Sequence, residues 1–187
     1  LYHDLGGDPF LITDAIPVDW DARELQALEW SAGPPPRRTV GEVRRVLDVF
    51  PARTQTLLGG AQALLDGGRL ALRRTEPEPA IVRDLWALLP YSTRSELSLA
   101  TFAFSNTLGF HVAVVPNDSG PDFEGYVRED KAGDYPEGRY EHALQKAVED
   151  DNQPDVDALL SRRSRTQTLW LAVLLLAGFA VAALIVN

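Results

Sequence analysis

The sequence predicts an α/β fold, with a small mixed sheet, flanking helices and one C-terminal transmembrane helix. Three observations predict it. Apolar residues recur with the helical period at 40–50, 57–65 and 81–89. Short apolar runs of β-forming residues lie between and after these helices. An uncharged apolar stretch closes the chain. Helices that alternate with strands favour a small, mainly buried sheet.

Composition divides the chain into four parts. Residues 1–38 form an N-terminal segment of unclear fold, in which "PFLITDAI" (9–16) resembles a short strand. Residues 39–116 form the predicted α/β core. Residues 117–165 are predicted to be an acidic loop and helical spacer, and residues 166–187 a transmembrane helix.

Capping signals mark the helices of the core. Thr39 and Glu42 have the spacing of a capping box, which predicts that the first helix begins there. The second helix runs through 57–65 and ends at a pair of glycines. Thr75 and Glu78 repeat the capping-box spacing and predict the start of the third helix.

The strand signals predict a mixed sheet. The segment 69–74 reads as one strand, and 96–105 and 110–116 read as two buried strands. A helix separates the first two, which permits a parallel crossover. Only a few residues around Asn106 and Gly109 separate the last two, which favours a hairpin.

Charge and composition exclude several classes of site. The chain has 187 residues, a net charge of −9 and no cysteine, so disulfides and thiolate metal sites are excluded. The acidic excess lies in 118–157, with 13 Asp and Glu against 4 Lys and Arg. No clustered basic face supports nucleic-acid binding. No metal or phosphate-loop motif occurs, so we expect no cofactor and no metal.

The C-terminal stretch predicts membrane attachment. "LWLAVLLLAGFAVAALIV" (169–186) is uncharged, and a helix of 18 residues covers about 27 Å, close to the bilayer core. Arg162, Arg163 and Arg165 precede it, and basic residues beside a span stay cytoplasmic. The sequence therefore predicts a single-pass protein with a cytoplasmic domain and the lipid bilayer as a partner. The alternative is a buried core helix.

The segment "WALLPYSTRSELSLATFAFSN" (86–106) holds the first candidate for a binding site. The hydroxyls near Arg94 suit either an anion site or a capped turn, in which Arg94 pairs with Glu96 or another acid. Thr93 and Glu96 have capping-box spacing, which favours the capped turn.

Two further candidates lie on the predicted strands. His111 stands in an apolar run, where a hydrogen-bonded core histidine is commoner than a catalytic one. Side chains alternate along strands, so Thr101 and His111 could face one cleft. Arg94, Thr101 and His111 are therefore the candidates for contact with a ligand or partner, and no catalytic residue is assigned.

A run of motifs over residues 40–116 carries a family resemblance. They are "LLDGGRLALRR", a helix ending "LWALLP", the pattern Leu89-Pro90, Arg94, Leu97-Ser98 and Thr101, and "FHVAVVP". This pattern resembles the GTPase-associated protein 1-like domains of bacteria. The resemblance implies a non-enzymatic adaptor or regulator in GTPase-centred signalling or conflict systems, with no catalytic residues to transfer.

These observations together predict a membrane-anchored cytoplasmic adaptor without catalysis of its own, which scaffolds a protein partner such as an NTPase. Two alternatives remain open. One is an enzyme with an unrecognised site around Arg94, Thr101 and His111. The other is a structural segment of a larger membrane protein.

Overall fold

The computed structural model describes residues 6–16, 37–48, 51–116, 121–136, 138–163 and 165–186. In these residues the helices are α1 (Pro9–Ala15), α2 (Val40–Leu47), α3 (Pro51–Leu65), α4 (Pro79–Leu88), α5 (Tyr91–Arg94), α6 (Glu129–Ala132), α7 (Arg139–Glu149), α8 (Gln153–Leu160) and α9 (Arg165–Val186). The strands are β1 (Leu70–Arg73), β2 (Leu99–Ala100), β3 (Val112–Val115) and β4 (Val127–Arg128).

The sheet is entirely parallel, with strand order β2-β3-β1-β4. The α/β class is confirmed, but the mixed sheet and the hairpin between β2 and β3 are wrong. Residues 101–111 instead carry the chain back, so that Val112 begins beside Leu99 and β3 runs in the same direction. Within this connection the side chain of Asn106 accepts a hydrogen bond from the backbone of Phe110 at 3.1 Å. Residues 101–111 therefore connect two parallel strands as a crossover does, although they contain no helix.

The acidic region contributes to the sheet and the core, contrary to its prediction as a loop and spacer. Val127 donates to the carbonyl of Arg69 at 2.7 Å and begins β4 beside β1. The helices α7 and α8 form as expected, but they pack into the core through Tyr140, Leu144 and Val156. Glu149 and Asp155 are exposed on the outer faces, whereas Glu141 and Asp157 are half-buried. Each helix is therefore amphipathic despite its charge.

The helix starts confirm one of the three capping-box spacings noted in the sequence. Thr93 lies inside α5, whose N-cap is Pro90, so it begins no helix. Thr39 and Glu42 satisfy each other's backbone N–H groups at the start of α2. Glu78 instead stands at the N-cap of α4 without a side-chain cap and pairs with Arg74. The strand expected at 9–16 is helix α1, because Asp8 caps it and Pro9 occupies its first position.

The two faces of the sheet bury different clusters. Leu70, Leu72, Val112 and Val114 pack against the helices in the main core. Ala71, Ala113 and Val115 face a smaller cluster with Phe123 and Tyr126. The main core also holds Trp86 and Tyr140, which lie beneath the candidate site described below.

The close approach of α3 and α6 depends on a glycine. A Cβ added to Gly59 would overlap the carbonyl oxygen of Ala132. Backbone atoms cannot move aside as the end of a side chain can, so this contact requires the missing side chain. This contact holds α6, which follows β4, against α3.

The predicted transmembrane helix is corrected by the structure. The helix α9 begins at Arg165, and its side chains are described over 167–178. Over the described residues, no helix is both long and apolar enough to cross a membrane. The predicted single-pass membrane location is overturned with it.

Candidate functional site

Arg94 lies at the centre of the candidate site. It ends the short helix α5, which begins directly after Pro90, and its backbone N–H donates to the carbonyl of Pro90 at 3.0 Å. The residue is only 1% exposed. Its guanidinium lies 4.6 Å from the centroid of the Tyr91 ring. The sequence left the exposure of Arg94 open, and the structure buries the residue against the Tyr91 ring.

The acid that Arg94 contacts is Asp8, far away in the sequence. Arg94 Nη1 lies 3.4 Å from Asp8 Oδ2, a long contact for a charged pair. Arg94 Nε is buried and, within the part of the chain that the structure describes, has no hydrogen-bond partner. Most buried polar groups are hydrogen-bonded, so this N–H group requires an explanation.

A second arginine shares the same carboxylate. Arg38 Nη2 donates to Asp8 Oδ2 at 3.1 Å, and its Nη1 donates to the carbonyl of Trp86 at 2.8 Å. Asp8 Oδ1 accepts from the backbone of Phe10 as the cap of α1. Two guanidinium groups therefore face one carboxylate, whose two oxygens are already engaged.

Two glycines hold Asp8 in place. Gly6 and Gly7 have φ angles of 64° and 65°, in the region that favours glycine. A Cβ on Gly7 would lie 2.5 Å from the backbone nitrogen of Ser95, and the Gly7 carbonyl accepts from the Trp86 indole at 2.8 Å. Gly6 and Gly7 form a turn, and Gly7 is packed tightly against the end of α5.

The electrostatics reflect this unequal pairing. Burial, followed by the neighbouring charge of Arg38, lowers the pKa of Arg94 to about 10. Burial also lowers the pKa of Arg38, although Asp8 opposes the effect. The pKa of Arg94 remains well above neutrality, so both guanidinium groups are charged at pH 7. One positive charge is therefore left without a matching buried acid.

The site opens into a cavity of about 400 Å³ between α1, α2, α4 and α5. The arginines that line it are Arg37, Arg38, Arg45, Arg83 and Arg94. The lining acids are Asp8, Glu42 and Asp84. Five positive and three negative groups give the lining a formal charge of +2. Such a cavity can bind an anion through bidentate guanidinium groups.

His111 lies elsewhere, beside Ser98. The backbone N–H of Ser98 donates to His111 Nδ1 at 3.1 Å, and the Ser98 hydroxyl lies 3.0 Å from the same nitrogen. Burial, followed by the charge of Arg69, lowers the pKa of His111. The ring is therefore neutral at pH 7, and its proton sits on Nε2. Because Nδ1 is already engaged, this geometry matches the hydrogen-bonded histidine that is the commoner interpretation.

The three sequence candidates do not meet in one cleft. His111 lines a second cavity of about 980 Å³, together with Thr93 and Glu96. Arg94 lines the smaller cavity described above. Thr101 comes directly after β2, whereas His111 is hydrogen-bonded to Ser98, which lies just before β2. The structure therefore separates the residues that the enzymatic alternative would use together.

The basic residues before α9 have a different setting from the predicted one. Arg162 and Arg163 are exposed and line the larger cavity. The Arg162 carbonyl accepts from the Ser92 hydroxyl at 2.5 Å. The side chain of Arg165 lies outside the described residues. With the membrane span overturned, their assignment to membrane orientation is overturned too.

Sequence reasoning missed Asp8 and Arg38. The sequence did contain a pattern that could have located Asp8. Asp followed by Pro is typical of a helix start, and it places the Asp8 carboxylate at the N-cap of α1. Arg38 carried no such signal, since its partners are 30 and 48 residues away. No group of described residues has the composition of a metal site.

Comparison with known proteins gives no relative. No protein family, curated protein or solved structure matches the chain significantly. The resemblance to GTPase-associated protein 1-like domains therefore stays a prediction from the motifs at 40–116.

Proposed function

We propose that this chain is a non-catalytic adaptor module that binds an anionic group of a partner protein at Arg38 and Arg94. The observation that carries the proposal is the buried Nε of Arg94, which has no partner among the described residues. An incoming anion would supply the missing acceptor. The same anion would balance the positive charge that Asp8 leaves unmatched.

A purely structural role accounts poorly for this arrangement. A buried ion pair contributes little net stability even when it is well paired, because both charges lose their hydration. Here Arg94 is 1% exposed, and its ion pairing among the described residues is the long contact with Asp8, beside the stacking on Tyr91. An apolar side chain would fill the same space without the cost of burying a charge. Retention of an arginine is better explained by a ligand that completes its hydrogen bonds.

The adaptor character draws on the motif resemblance. The Leu-Pro, Arg, Leu-Ser and Thr pattern that supports it contains Arg94. An NTPase of a bacterial signalling or conflict system is the partner that the resemblance favours. The proposed binding face would then contact an acidic or modified surface of that NTPase.

Comparative capture from a native extract tests this function. We would compare the wild-type chain with Arg94→Lys, which keeps the charge but loses the planar fork. Arg73→Lys is the matched control, since Arg73 is exposed at the end of β1. We expect a partner that binds the wild type and the control, and is lost with Arg94→Lys while the fold is retained by circular dichroism. Equal recovery with all three proteins would refute the proposal.

A further inference from the structure

We infer that the Arg38–Arg94 cavity binds a phosphate monoester dianion, such as a phosphorylated side chain of the partner. This inference rests on the proposed function and specifies the chemical group that the site recognises. Four properties of the cavity support it: its charge, its hydrogen-bond donors, the uneven sharing of Asp8 and its volume.

The charge of the cavity suits an anion. Of its arginines, Arg37 and Arg83 are already paired with Asp157 and Asp14, outside the lining. Arg38 and Arg94 share the single carboxylate of Asp8. A phosphate monoester carries between about −1.5 and −2 at pH 7 and could pair with both of these guanidinium groups.

The hydrogen-bond donors suit several oxygens on one centre. Arg94 Nε has no acceptor among the described residues, and guanidinium groups bind phosphate in a bidentate manner. Arg38 already uses Nη1 and Nη2 for Trp86 and Asp8. Its remaining N–H groups are the ones that could contact the ligand. A phosphate offers three acceptor oxygens and can accept from both arginines at once.

Asp8 is the internal competitor for the ligand, and it holds the two arginines unequally. Its contact with Arg38 is 3.1 Å, whereas its contact with Arg94 is 3.4 Å. An entering anion therefore needs to replace only the longer contact. Asp8 would remain on Arg38 as the cap of α1, and Arg94 would turn its fork toward the ligand.

The volume leaves room for more than the phosphate itself. About 400 Å³ is within the range of small-molecule sites, which starts at about 300 Å³. Arg45 and Arg83 are exposed residues of the lining and lie where the rest of a phosphorylated segment would pass. Arg83 is paired with Asp14 at 2.8 Å, so it contributes to the rim as part of an ion pair.

Nuclear magnetic resonance of the arginine Nε–H groups tests the inference on the full chain. The probes are inorganic phosphate, a short phosphoserine peptide, the same peptide with unmodified serine, and the same peptide with glutamate at that position. All are compared at constant ionic strength. We expect the Arg94 Nε–H signal to shift saturably with phosphate or the phosphoserine peptide, and not with the serine peptide. Tighter binding of the peptide identifies a modified protein as the source, and equal binding identifies free phosphate.

Two variants and a pH series sharpen the test. Arg94→Met should abolish binding, and Asp8→Asn, which keeps a capping side chain, should tighten it at least fivefold because the internal competitor loses its charge. Lowering the pH from 7.5 to 5.5 should weaken binding of the phosphoserine peptide about fourfold, since the second pKa of a phosphate monoester is about 6. Binding of the glutamate peptide alone would overturn the phosphate inference and leave the proposed function standing. No saturable shift with any probe, together with no partner lost in Arg94→Lys, would overturn both.

Discussion

The contrast between Arg94 and Arg38 gives a stability prediction that separates a binding role from a structural one. Replacing Arg94 by Met keeps most of the side-chain volume and leaves Asp8 paired with Arg38. Replacing Arg38 by Met leaves Asp8 with the 3.4 Å contact alone and removes the donor to the Trp86 carbonyl. The two variants remove the same charge from the same cavity, so each serves as the control for the other.

The magnitude for Arg94 follows from its pKa. Burial, followed by the charge of Arg38, lowers the pKa of Arg94 from the ordinary value of a guanidinium group to about 10, a drop of between two and three pH units. At about 1.4 kcal/mol for each pH unit, the site disfavours the charged guanidinium by about 3 kcal/mol. The stacking on Tyr91 returns about 1 kcal/mol. We therefore expect Arg94→Met to leave the free energy of unfolding unchanged or to raise it by about 1–2 kcal/mol.

The magnitude for Arg38 follows from its hydrogen bonds. Each hydrogen bond to a charged group contributes about 1.5–3 kcal/mol, and Arg38 donates two of them. The two bonds together amount to about 3–6 kcal/mol. Burial lowers the pKa of Arg38 as it does that of Arg94, so removing this buried charge offsets part of the loss. We expect Arg38→Met to lower the free energy of unfolding by about 2–4 kcal/mol. Urea unfolding followed by far-ultraviolet circular dichroism measures both variants, with the slope as a check on the two-state transition. A loss of about 3 kcal/mol or more in Arg94→Met would show that Arg94 is a structural residue and would refute the reasoning.

Three further predictions address the fold and its pH dependence. Gly59→Ala should lower the melting temperature strongly, because the added Cβ would overlap the backbone of α6. Gly133→Ala is the control and should change the melting temperature little, since the nearest atoms to its Cβ lie at 4.0 Å. Equal effects of the two substitutions would contradict the close approach of α3 and α6. Thr39→Ala should cost about 1 kcal/mol in urea unfolding by removing a cap, and Thr75→Ala, which caps no helix, should cost less than about 0.5 kcal/mol. The lowered pKa of His111 means that the unfolded chain binds its proton more readily, so stability should fall as the pH drops below about 6.5. His111→Asn should weaken that dependence, and an unchanged pH profile in unfolding would contradict the assignment.

The local features of the fold could be predicted from the sequence. The capping box of α2 depends on two residues that are three positions apart. The helical period of α3 and of α4 is visible within each segment alone. The strand β1 is bounded by the glycines that close α3. In each case the physical cause lies within a few residues of its effect.

The parallel sheet could not be predicted in the same way. The direction of β3 depends on how residues 101–111 return to the start of β2, and turn chemistry at Gly109 is compatible with a hairpin as well. The strand β4 has only two residues and no alternation of its own. Pairing partners, which are distant in the chain, decide both features.

The candidate site was predicted in part. Arg94 was singled out by its surroundings, but its burial against Asp8 joins residues 86 positions apart. The membrane prediction was made from the composition of residues 169–186 alone, and it is overturned because no helix among the described residues is both long and apolar enough to cross a membrane. Long-range contacts carry the information that local patterns omit.

The edges of the sheet have a consequence for self-association. Both edge strands, β2 and β4, contain two residues, while β1 and β3 between them contain four. Short edges offer few unpaired N–H and C=O groups to another chain, which protects against edge-to-edge aggregation and amyloid-like growth. The buried pair of strands can therefore be rich in Val and Leu without giving neighbouring molecules a template for sheet extension.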